Sequence, residues 1–401
     1  MVEEEFLVTP GPTEIPLRVL RAQLKPAIGP GDPEFVKTMD ETSELLQELL
    51  QTKSKAFFSP GSGRVSVESA ILSVVEPGDK VLAAVNGVFG KWMRQTAERA
   101  GARVIEITSD WRKAIAPSRV AEVLDRERDV KLVMIVHNET STGLRNPVHE
   151  IGKIVRKSGS IFLVDTVSSL GGDDVRTDEW GIDLNCAGCY KCINSPPGLS
   201  IVSVSEKAWQ AMEKRSRPAA TFSYDLLKWK HMWLPKEKGG KLVWGYRRHP
   251  IEPAPHLTYA LNEALKLIME EGMKERFARN RIAGEAVRSG CRAMGLELYP
   301  LSEDDASNTL TGIVNPEGLD NAEILELMRR LYGVVAGGGL EETAGKVIRL
   351  AHMSMTSREI YVTHSILALG LALKALGRGV DPSLGVDAVK KVFADHPSER
   401  S

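Results

Sequence analysis

Strand-like and helix-like segments alternate over the first two-thirds of this 401-residue chain. The strand-like segments are short, apolar and rich in β-branched residues, as strands buried on both faces are. Seven of them are present, at Ala56–Ser59, Val81–Val85, Val104–Ile107, Leu132–Val136, Ile161–Val164, Leu184–Ala187 and Leu199–Val204. Helical patterns lie between them. This alternation predicts an α/β fold with a large, mostly parallel seven-stranded sheet and helices on both of its faces.

The character of the sequence changes near residue 215. Residues 215–256 are rich in Lys, Arg, Trp and Pro and show no clear period, so we expect an irregular segment that crosses a domain or subunit boundary. A long amphipathic helix begins at Leu257, and further helices near 320–331 and 358–376 follow among short strands near 296–299, 309–314 and 347–351. This pattern predicts a smaller C-terminal α+β domain. We therefore divide the chain into an N-terminal segment (1–20), a large domain (21–256) and a small domain (257–401).

The charge balance argues against a dedicated nucleic-acid binder. Lys and Arg total 52 against 53 Asp and Glu, which gives a formal net charge of −1, whereas nucleic-acid binders normally carry a basic excess. The most apolar stretch, Ile366–Leu376, is too short to span a bilayer. The first residues lack the pattern of a secretory signal peptide. We therefore expect no nucleic-acid or membrane partner and a cytoplasmic location.

Three of the four cysteines, Cys186, Cys189 and Cys192, lie close together and raise the question of a metal site. Their segment is typical of a strand, in which residues three apart point to opposite faces. Thiolates spaced in this way do not converge on one ion, and the remaining cysteine, Cys291, stands alone. We therefore expect buried thiols and no metal.

Two charged residues stand at the ends of apolar strands, where ligands bind in open α/β sheets. Asp165 ends one strand, and Lys191 follows the next strand 26 positions later. An aspartate at such a place either caps the next loop or pairs with a cationic ring nitrogen. A lysine there either lies on the surface beyond the strand or is desolvated. Desolvation lowers a lysine's pKa and makes the amine a nucleophile for carbonyl groups.

A short glycine-rich turn, Pro60–Arg64, joins the first strand to an amphipathic helix. Glycines let the backbone approach an anion, and the start of a helix offers free N–H groups and positive potential. The Arg64 side chain adds a charge that suits phosphate, although an isolated turn of this kind is as often an ordinary tight turn. Together with Asp165 and Lys191, the turn predicts pyridoxal 5'-phosphate (PLP), a phosphorylated pyridine aldehyde that acts as an electron sink.

These residues lie within longer sequence motifs, here called phrases. In these phrases the chain resembles the class V aminotransferases of fold type I, and its pattern is most similar to that of the alanine/serine–glyoxylate aminotransferases. The resemblance extends over almost the whole chain. The phrases that carry it are Thr9–Thr13, Asp32–Phe35, Glu76–Val81, Asn86–Gly90, His137–Gly143, Val164–Gly172, Glu179–Asp183, Lys191–Leu199 and Gly345–Arg349.

The resemblance implies roles for individual residues. Lys191 is similar to the lysine that bonds to the cofactor's aldehyde and later moves the Cα proton, and Asp165 to the carboxylate that keeps the ring nitrogen protonated. Arg349 resembles the arginine that grips the substrate carboxylate with its planar fork. The other matching positions are Ser62, Gly63 and Arg64 in the phosphate loop, Phe89 stacked on the ring, Thr140 near the phenolic oxygen, Tyr190 in place of a frequent glutamine, and Gly11 on the substrate side.

The chain departs from the family pattern in the segment that reaches the neighbouring subunit's phosphate. Relatives commonly have Tyr-x-x-Thr-Pro there. An ungapped match places His249 and Glu252 in these slots, whereas a three-residue insertion keeps Tyr246 in place. We favour Tyr246, because a glutamate beside a phosphate is unfavourable. The roles of Arg247 and Arg248 stay open.

The resemblance implies PLP-dependent transamination of a small amino acid, alanine or serine, with glyoxylate or pyruvate as acceptor. It also implies a homodimer with shared active sites. Pyridoxamine–pyruvate and ureidoglycine–glyoxylate transamination stay open as alternatives, the first because Leu331–Val335 and Arg349–Met353 resemble that enzyme as well. A catalytically silent binding protein that kept the fold is the alternative from another class, and the presence of both Lys191 and Asp165 argues against it.

Overall fold

The structure, a computed structural model, describes residues 5–234, 236–238, 241–243 and 247–396. Its strands, in chain order, are β1 (Phe6–Leu7), β2 (Ala56–Pro60), β3 (Lys80–Val85), β4 (Arg103–Thr108), β5 (Val130–Val136), β6 (Asn138–Glu139), β7 (Leu144–Arg145), β8 (Ile161–Asp165), β9 (Leu184–Gly188), β10 (Leu199–Val204), β11 (Lys236–Lys238), β12 (Lys241–Val243), β13 (Leu310–Val314), β14 (Val334–Val335), β15 (Gly337–Gly338) and β16 (Val347–Ala351).

Helices cover much of the remaining chain. They are α1 (Leu17–Ala22), α2 (Pro33–Leu50), α3 (Gly63–Val74), α4 (Val88–Arg99), α5 (Pro117–Arg126), α6 (Val148–Ser158), α7 (Thr177–Trp180), α8 (Glu206–Glu213), α9 (Leu226–Trp233), α10 (Pro255–Glu271), α11 (Met273–Ala293), α12 (Asn321–Tyr332), α13 (Glu359–Ala375) and α14 (Pro382–Asp395). Two short 3₁₀ turns lie at Glu341–Thr343 and Ser354–Ser357.

The large sheet confirms the predicted α/β architecture. Its seven strands lie in the order β2-β10-β9-β8-β5-β3-β4. All neighbouring pairs are parallel except those of β10, which is antiparallel to both β2 and β9. The carboxyl ends of β3, β5, β8 and β9 therefore meet at one edge of the sheet, where a ligand site is expected.

The smaller C-terminal sheet contains three strands in the order β13-β16-β15. A second hydrophobic core, separate from the core around the large sheet, is formed mostly by helices α11, α12, α13 and α14. The N-terminal strand β1 pairs in parallel with β14, and Val8 is buried in this second core. The first residues of the described chain therefore pack with its last third.

Helix α10 packs with the large sheet's core. Its buried residues Tyr259, Leu261 and Ile268 belong to that core. The helix ends at Glu271, and the next residue, Gly272, has a φ of 89° that glycine adopts at little cost. We therefore propose a boundary near Gly272 as an alternative to the predicted boundary at residue 256.

Three parts of the chain differ from the sequence-based expectation. Helix α9 and the hairpin β11–β12 occupy part of the segment that we expected to be irregular; Asp225 caps α9 by accepting a bond from the Leu227 amide. Near residue 298 the chain forms one isolated bridge to Ile313 in place of a strand. Helix α14, which the sequence analysis missed, packs against α11 and α13.

All four cysteines are buried free thiols. Burial raises the pKa of Cys189 to about 11 and of Cys192 to about 12, as expected for structural thiols. Within the described ranges, no group of His, Cys, Asp and Glu side chains is arranged to hold a metal ion. Within those same ranges, no helix has the length and apolarity that crossing a membrane requires.

Candidate active site

Asp165 and Lys191 face one cavity at the carboxyl edge of the large sheet. Asp165 is the last residue of β8, and Lys191 lies three positions beyond the end of β9. The cavity has a volume of about 720 Å³. Of the residues predicted for the site, those that line it are Gly11, Ser62, Arg64, Phe89, Thr140, Asp165, Tyr190, Lys191 and Arg349.

The amine of Lys191 lies between two hydroxyl groups. Its Nζ is 3.1 Å from Thr140 Oγ1 and 2.7 Å from Ser168 Oγ. Burial lowers the pKa of this lysine, and the Asp165 carboxylate acts in the opposite direction. Because a neutral amine is the nucleophilic and basic form, this environment suits covalent chemistry and proton transfer.

The Asp165 carboxylate lies in a largely desolvated position. One of its oxygens accepts a hydrogen bond of 2.8 Å from the Val167 amide. Burial raises the pKa of this carboxyl group. A cationic partner in the cavity would therefore stabilise the charged form of Asp165 and would be stabilised by it in turn.

The turn before α3 also borders the cavity, which Ser62 and Arg64 line. Helix α3 begins at Gly63, and the preceding Ser62 makes no side-chain cap bond to it. The Gly63 amide donates to the phenolic oxygen of Tyr190 at 3.3 Å. A Cβ on Gly63 would lie 2.4 Å from Val167 Cγ2, so only glycine fits between these elements. Gly63 does not line the cavity but lets the helix start beside it.

Two aromatic side chains of α4 line the cavity. The Phe89 ring centroid is 5.4 Å from Lys191 Nζ, and Trp92 packs edge-on against Phe89 at 5.1 Å. The Arg64 guanidinium lies 4.0 Å over the Trp92 ring. This stacking holds the positive charge of Arg64 at the wall of the cavity.

Glu139 holds the start of α4 in place. Its buried carboxylate accepts bonds from the Gly90 amide at 3.1 Å and the Ser141 hydroxyl at 2.6 Å. A Cβ on Gly87 would lie 2.2 Å from Glu139 Cγ, so the glycine before α4 makes room for this side chain. A carboxylate at the start of a helix is stabilised by the positive end of the helix dipole. Here the Glu139 carboxylate also fixes the position of Phe89.

Arg349 reaches the cavity from β16 of the smaller domain. Its Nε donates to the Gly338 carbonyl at 2.7 Å and its Nη1 to the Thr140 carbonyl at 3.0 Å. Burial lowers its pKa to about 10, so the guanidinium keeps its charge at neutral pH. Gly11 approaches from the N-terminal segment with φ of 124°, and a Cβ there would lie 3.0 Å from Lys191 Cε.

The described residues just before position 250 pack against α9 and α2. Tyr246 lies outside the described residues. The His249 ring packs 4.5 Å from that of Trp233, and burial lowers its pKa to about 4. The Arg247 guanidinium stacks on Trp233 at 4.1 Å and forms an ion pair with Asp40. Glu252 is exposed.

Comparison with known proteins identifies the family of this chain. The chain matches the family described as aminotransferase class-V over residues 27–341. It is a class V aminotransferase. An uncharacterized aminotransferase of Methanocaldococcus jannaschii is 37% identical over 97% of this chain and 98% of that protein. The serine–glyoxylate aminotransferase of Methylorubrum extorquens is 33% identical over 98% and 96%. The crystal structure of ureidoglycine–glyoxylate aminotransferase from Bacillus subtilis has a TM-score of 0.92 at 31% identity, covering 98% and 99%.

Aminotransferases of this family depend on PLP, and the residues of this cavity fit that group. The buried carboxylate of Asp165 suits a protonated ring nitrogen, and the buried amine of Lys191 suits an aldehyde. The start of α3 with the charge of Arg64 suits a phosphate.

Several residues in or beside the cavity are not among those predicted from the sequence. Ser168 and Trp92 line the cavity, Glu139 fixes the start of α4, and Thr13 donates to the Lys191 carbonyl at 2.9 Å. Three of the four, Thr13, Glu139 and Ser168, lie inside phrases that carry the family resemblance. The family resemblance of those phrases could therefore have pointed to these three residues. The hydrogen bonds and packing contacts that they make follow no local sequence pattern.

Helix α11 holds the loop that carries Lys191. The buried Arg276 of α11 donates to the Cys192 carbonyl at 2.7 Å, the Gly171 carbonyl at 2.9 Å and Asn194 Oδ1 at 3.1 Å. Its remaining nitrogen pairs with Glu271 at 2.7 Å. This guanidinium therefore connects the residue after Lys191 to the boundary between the two cores.

Proposed function

We propose that this aminotransferase uses PLP to transfer the amino group of alanine or serine to glyoxylate or pyruvate. The observation that carries the proposal is the convergence of a buried lysine, a buried carboxylate and a helix start on one cavity, with Arg349 at its side. When bound, PLP supplies an electron sink for the carbanion formed at the substrate's Cα.

The residues of the chain then have separate tasks. Asp165 would keep the ring nitrogen protonated, Phe89 would cover the ring, and the start of α3 with Arg64 would hold the phosphate. Lys191 would hold the cofactor through its aldehyde, and its free amine would move a proton as general base and acid. The Nη2 atom of Arg349 makes no hydrogen bond with the described residues, and we assign it to the substrate carboxylate.

The visible absorption spectrum of the purified protein, before and after addition of alanine, tests the proposal. We expect a yellow band that alanine removes and pyruvate or glyoxylate restores. The Arg349→Gln variant should keep the band but require about 100-fold more alanine for half conversion, because a buried charge partner is lost. The exposed Arg330→Gln variant, with the same chemical change, should behave as the parent does.

Other spectral outcomes separate the alternatives. A band that alanine and serine leave unchanged but ureidoglycine removes would contradict the proposed donor and favour ureidoglycine–glyoxylate transamination. A colourless protein that converts pyridoxamine and pyruvate would favour pyridoxamine–pyruvate transamination. The glycine-rich turn with Arg64, which suits a phosphate, favours a bound cofactor over that alternative.

We propose further that the enzyme is a homodimer whose subunits share their active sites. Exposed leucines on and just after α1 support this, because Leu17, Leu20 and Leu24 are 59%, 41% and 81% exposed and follow a helical spacing. Light scattering should give twice the 44.0 kDa mass of one chain. The Leu20→Glu/Leu24→Glu variant should be monomeric and inactive, and an active monomer would contradict the proposal.

A further inference from the structure

Ser168 is a buried residue that contacts the reactive amine and has no role in the function proposed so far. Its Oγ is 2.7 Å from Lys191 Nζ, closer than the 3.1 Å of Thr140 Oγ1. The hydroxyl groups of Ser168 and Thr140 are also hydrogen bonded to each other. Ser168 is 2% exposed and Thr140 3%, so the amine and the two hydroxyls form a group shielded from bulk water.

The backbone of Ser168 is fixed from two sides. Its carbonyl accepts hydrogen bonds from Asn138 Nδ2 at 3.0 Å and from Thr309 Oγ1 at 2.7 Å. Asn138 follows β5 in the large domain, and Thr309 precedes β13 in the smaller one. A side chain on such a fixed backbone is already oriented before it meets its partner.

A pair of hydroxyls can hold an amine in both of its protonation states. A hydroxyl oxygen accepts a bond from –NH₃⁺, and the same hydroxyl donates to the lone pair of –NH₂. The charged groups that act on Lys191 are Asp165, Glu139 and Arg349, together with the thiol of Cys192. A carboxylate in direct contact would favour the cation alone, whereas hydroxyls can serve both forms.

We propose that Ser168, together with Thr140, is the resting site of the Lys191 amine whenever that amine is not covalently bound to the cofactor. Ser168 is thus a positioning residue for the lysine. The amine takes up one proton and later releases one, while both hydroxyls keep their own. This role rests on the proposed function, since only a lysine that is released and titrates during turnover needs such a site.

The test compares Ser168→Ala with Ser168→Thr, which restores a hydroxyl, and with Ser169→Ala. Ser169 is the matched control because its hydroxyl is 2.9 Å from His137 Nδ1 and the residue does not line the cavity. The first readout is the pKa of Lys191 in the cofactor-free protein, from the pH dependence of its acetylation by acetic anhydride, followed on the Lys191 peptide by mass spectrometry.

We expect Ser168→Ala to lower the pKa of Lys191 by about one pH unit, because a hydrogen bond to the cation is stronger than one to the neutral amine. Ser168→Thr and Ser169→Ala should keep the parental pKa. In the loaded enzyme, Ser168→Ala should lower kcat about 10-fold and leave KM unchanged, because the lysine and not the substrate has lost its contact.

The possible results separate this inference from the proposed function. A Ser168→Ala protein with the parental Lys191 pKa overturns the resting site, whatever its activity. Equal shifts in Ser168→Ala and Ser169→Ala also overturn it, because the effect is then not specific to the contact. A shifted pKa in a protein that takes up no cofactor and transfers no amino group overturns the proposed function instead.

Discussion

Replacement of Lys191 by alanine is expected to lower the rate of amino-group transfer by about 10⁴-fold or more, since proton transfer by a positioned side chain alone contributes up to about that factor. The variant also loses the covalent bond to the aldehyde. Nζ lies in a buried site between Thr140 and Ser168, where no other amine replaces it among the described residues that line the cavity. Stopped-flow absorbance during reaction with alanine measures the rate.

The control is Lys153→Ala, which removes the same group from an exposed position on α6, and it should leave the rate unchanged. Addition of methylamine to Lys191→Ala should restore part of the rate, because a small amine fits the space left by the side chain. A parental rate in Lys191→Ala would contradict the assignment of this lysine to the chemistry.

Replacement of Arg276 by methionine is expected to lower the free energy of unfolding by about 3–5 kcal/mol, the usual cost of breaking a buried ion pair by removing one partner. The guanidinium has four partners within 3.1 Å, and three of these belong to segments next to the reactive lysine or the Asp165 loop. Without it, the Cys192 and Gly171 carbonyls each lose a hydrogen-bond donor in a buried site. Urea denaturation followed by circular dichroism measures the change.

Arg281→Met on the same helix is the matched control. Its side chain is 50% exposed and lies 3.9 Å from Glu285, so its loss should change the free energy of unfolding by less than about 1 kcal/mol. Similar changes in the two variants would show that Arg276 does not anchor the loop. A destabilised Arg276→Met protein should also bind its cofactor more weakly, because the loop that carries Lys191 loses an anchor.

Local patterns in the sequence determined the large sheet and the ends of its strands. Runs such as Ile161–Asp165 are buried on both faces, and a residue's place in such a run depends mainly on its neighbours in the chain. Because parallel strands align their carboxyl ends, the sequence alone predicts that Asp165 and Lys191 lie near each other. The cavity that both residues line agrees with this.

Local sequence patterns could not predict the structure where packing between segments far apart in the chain decides it. Helix α10 is amphipathic whichever core it joins, and only the tertiary structure shows that its buried residues pack with the large sheet's core, beside α1 and α2. Helix α9 forms in a segment without a clear period, with Asp225 as its cap and the buried rings of Trp229 and Trp233 as its anchors. The interpretation of residues 215–256 as irregular was therefore only partly right.

The sequence by itself determined the fold class, the family and the chemical types of the residues in this cavity. The tertiary structure alone decided which groups touch the reactive amine and what holds its loop. Ser168 and Thr140 are 23 and 51 residues from Lys191, and Arg276 is 84 residues from Cys192. A hydrogen bond requires its two atoms to lie within about 3 Å of each other. That distance is set by how the strands and the two cores pack, and no periodicity along the chain encodes it.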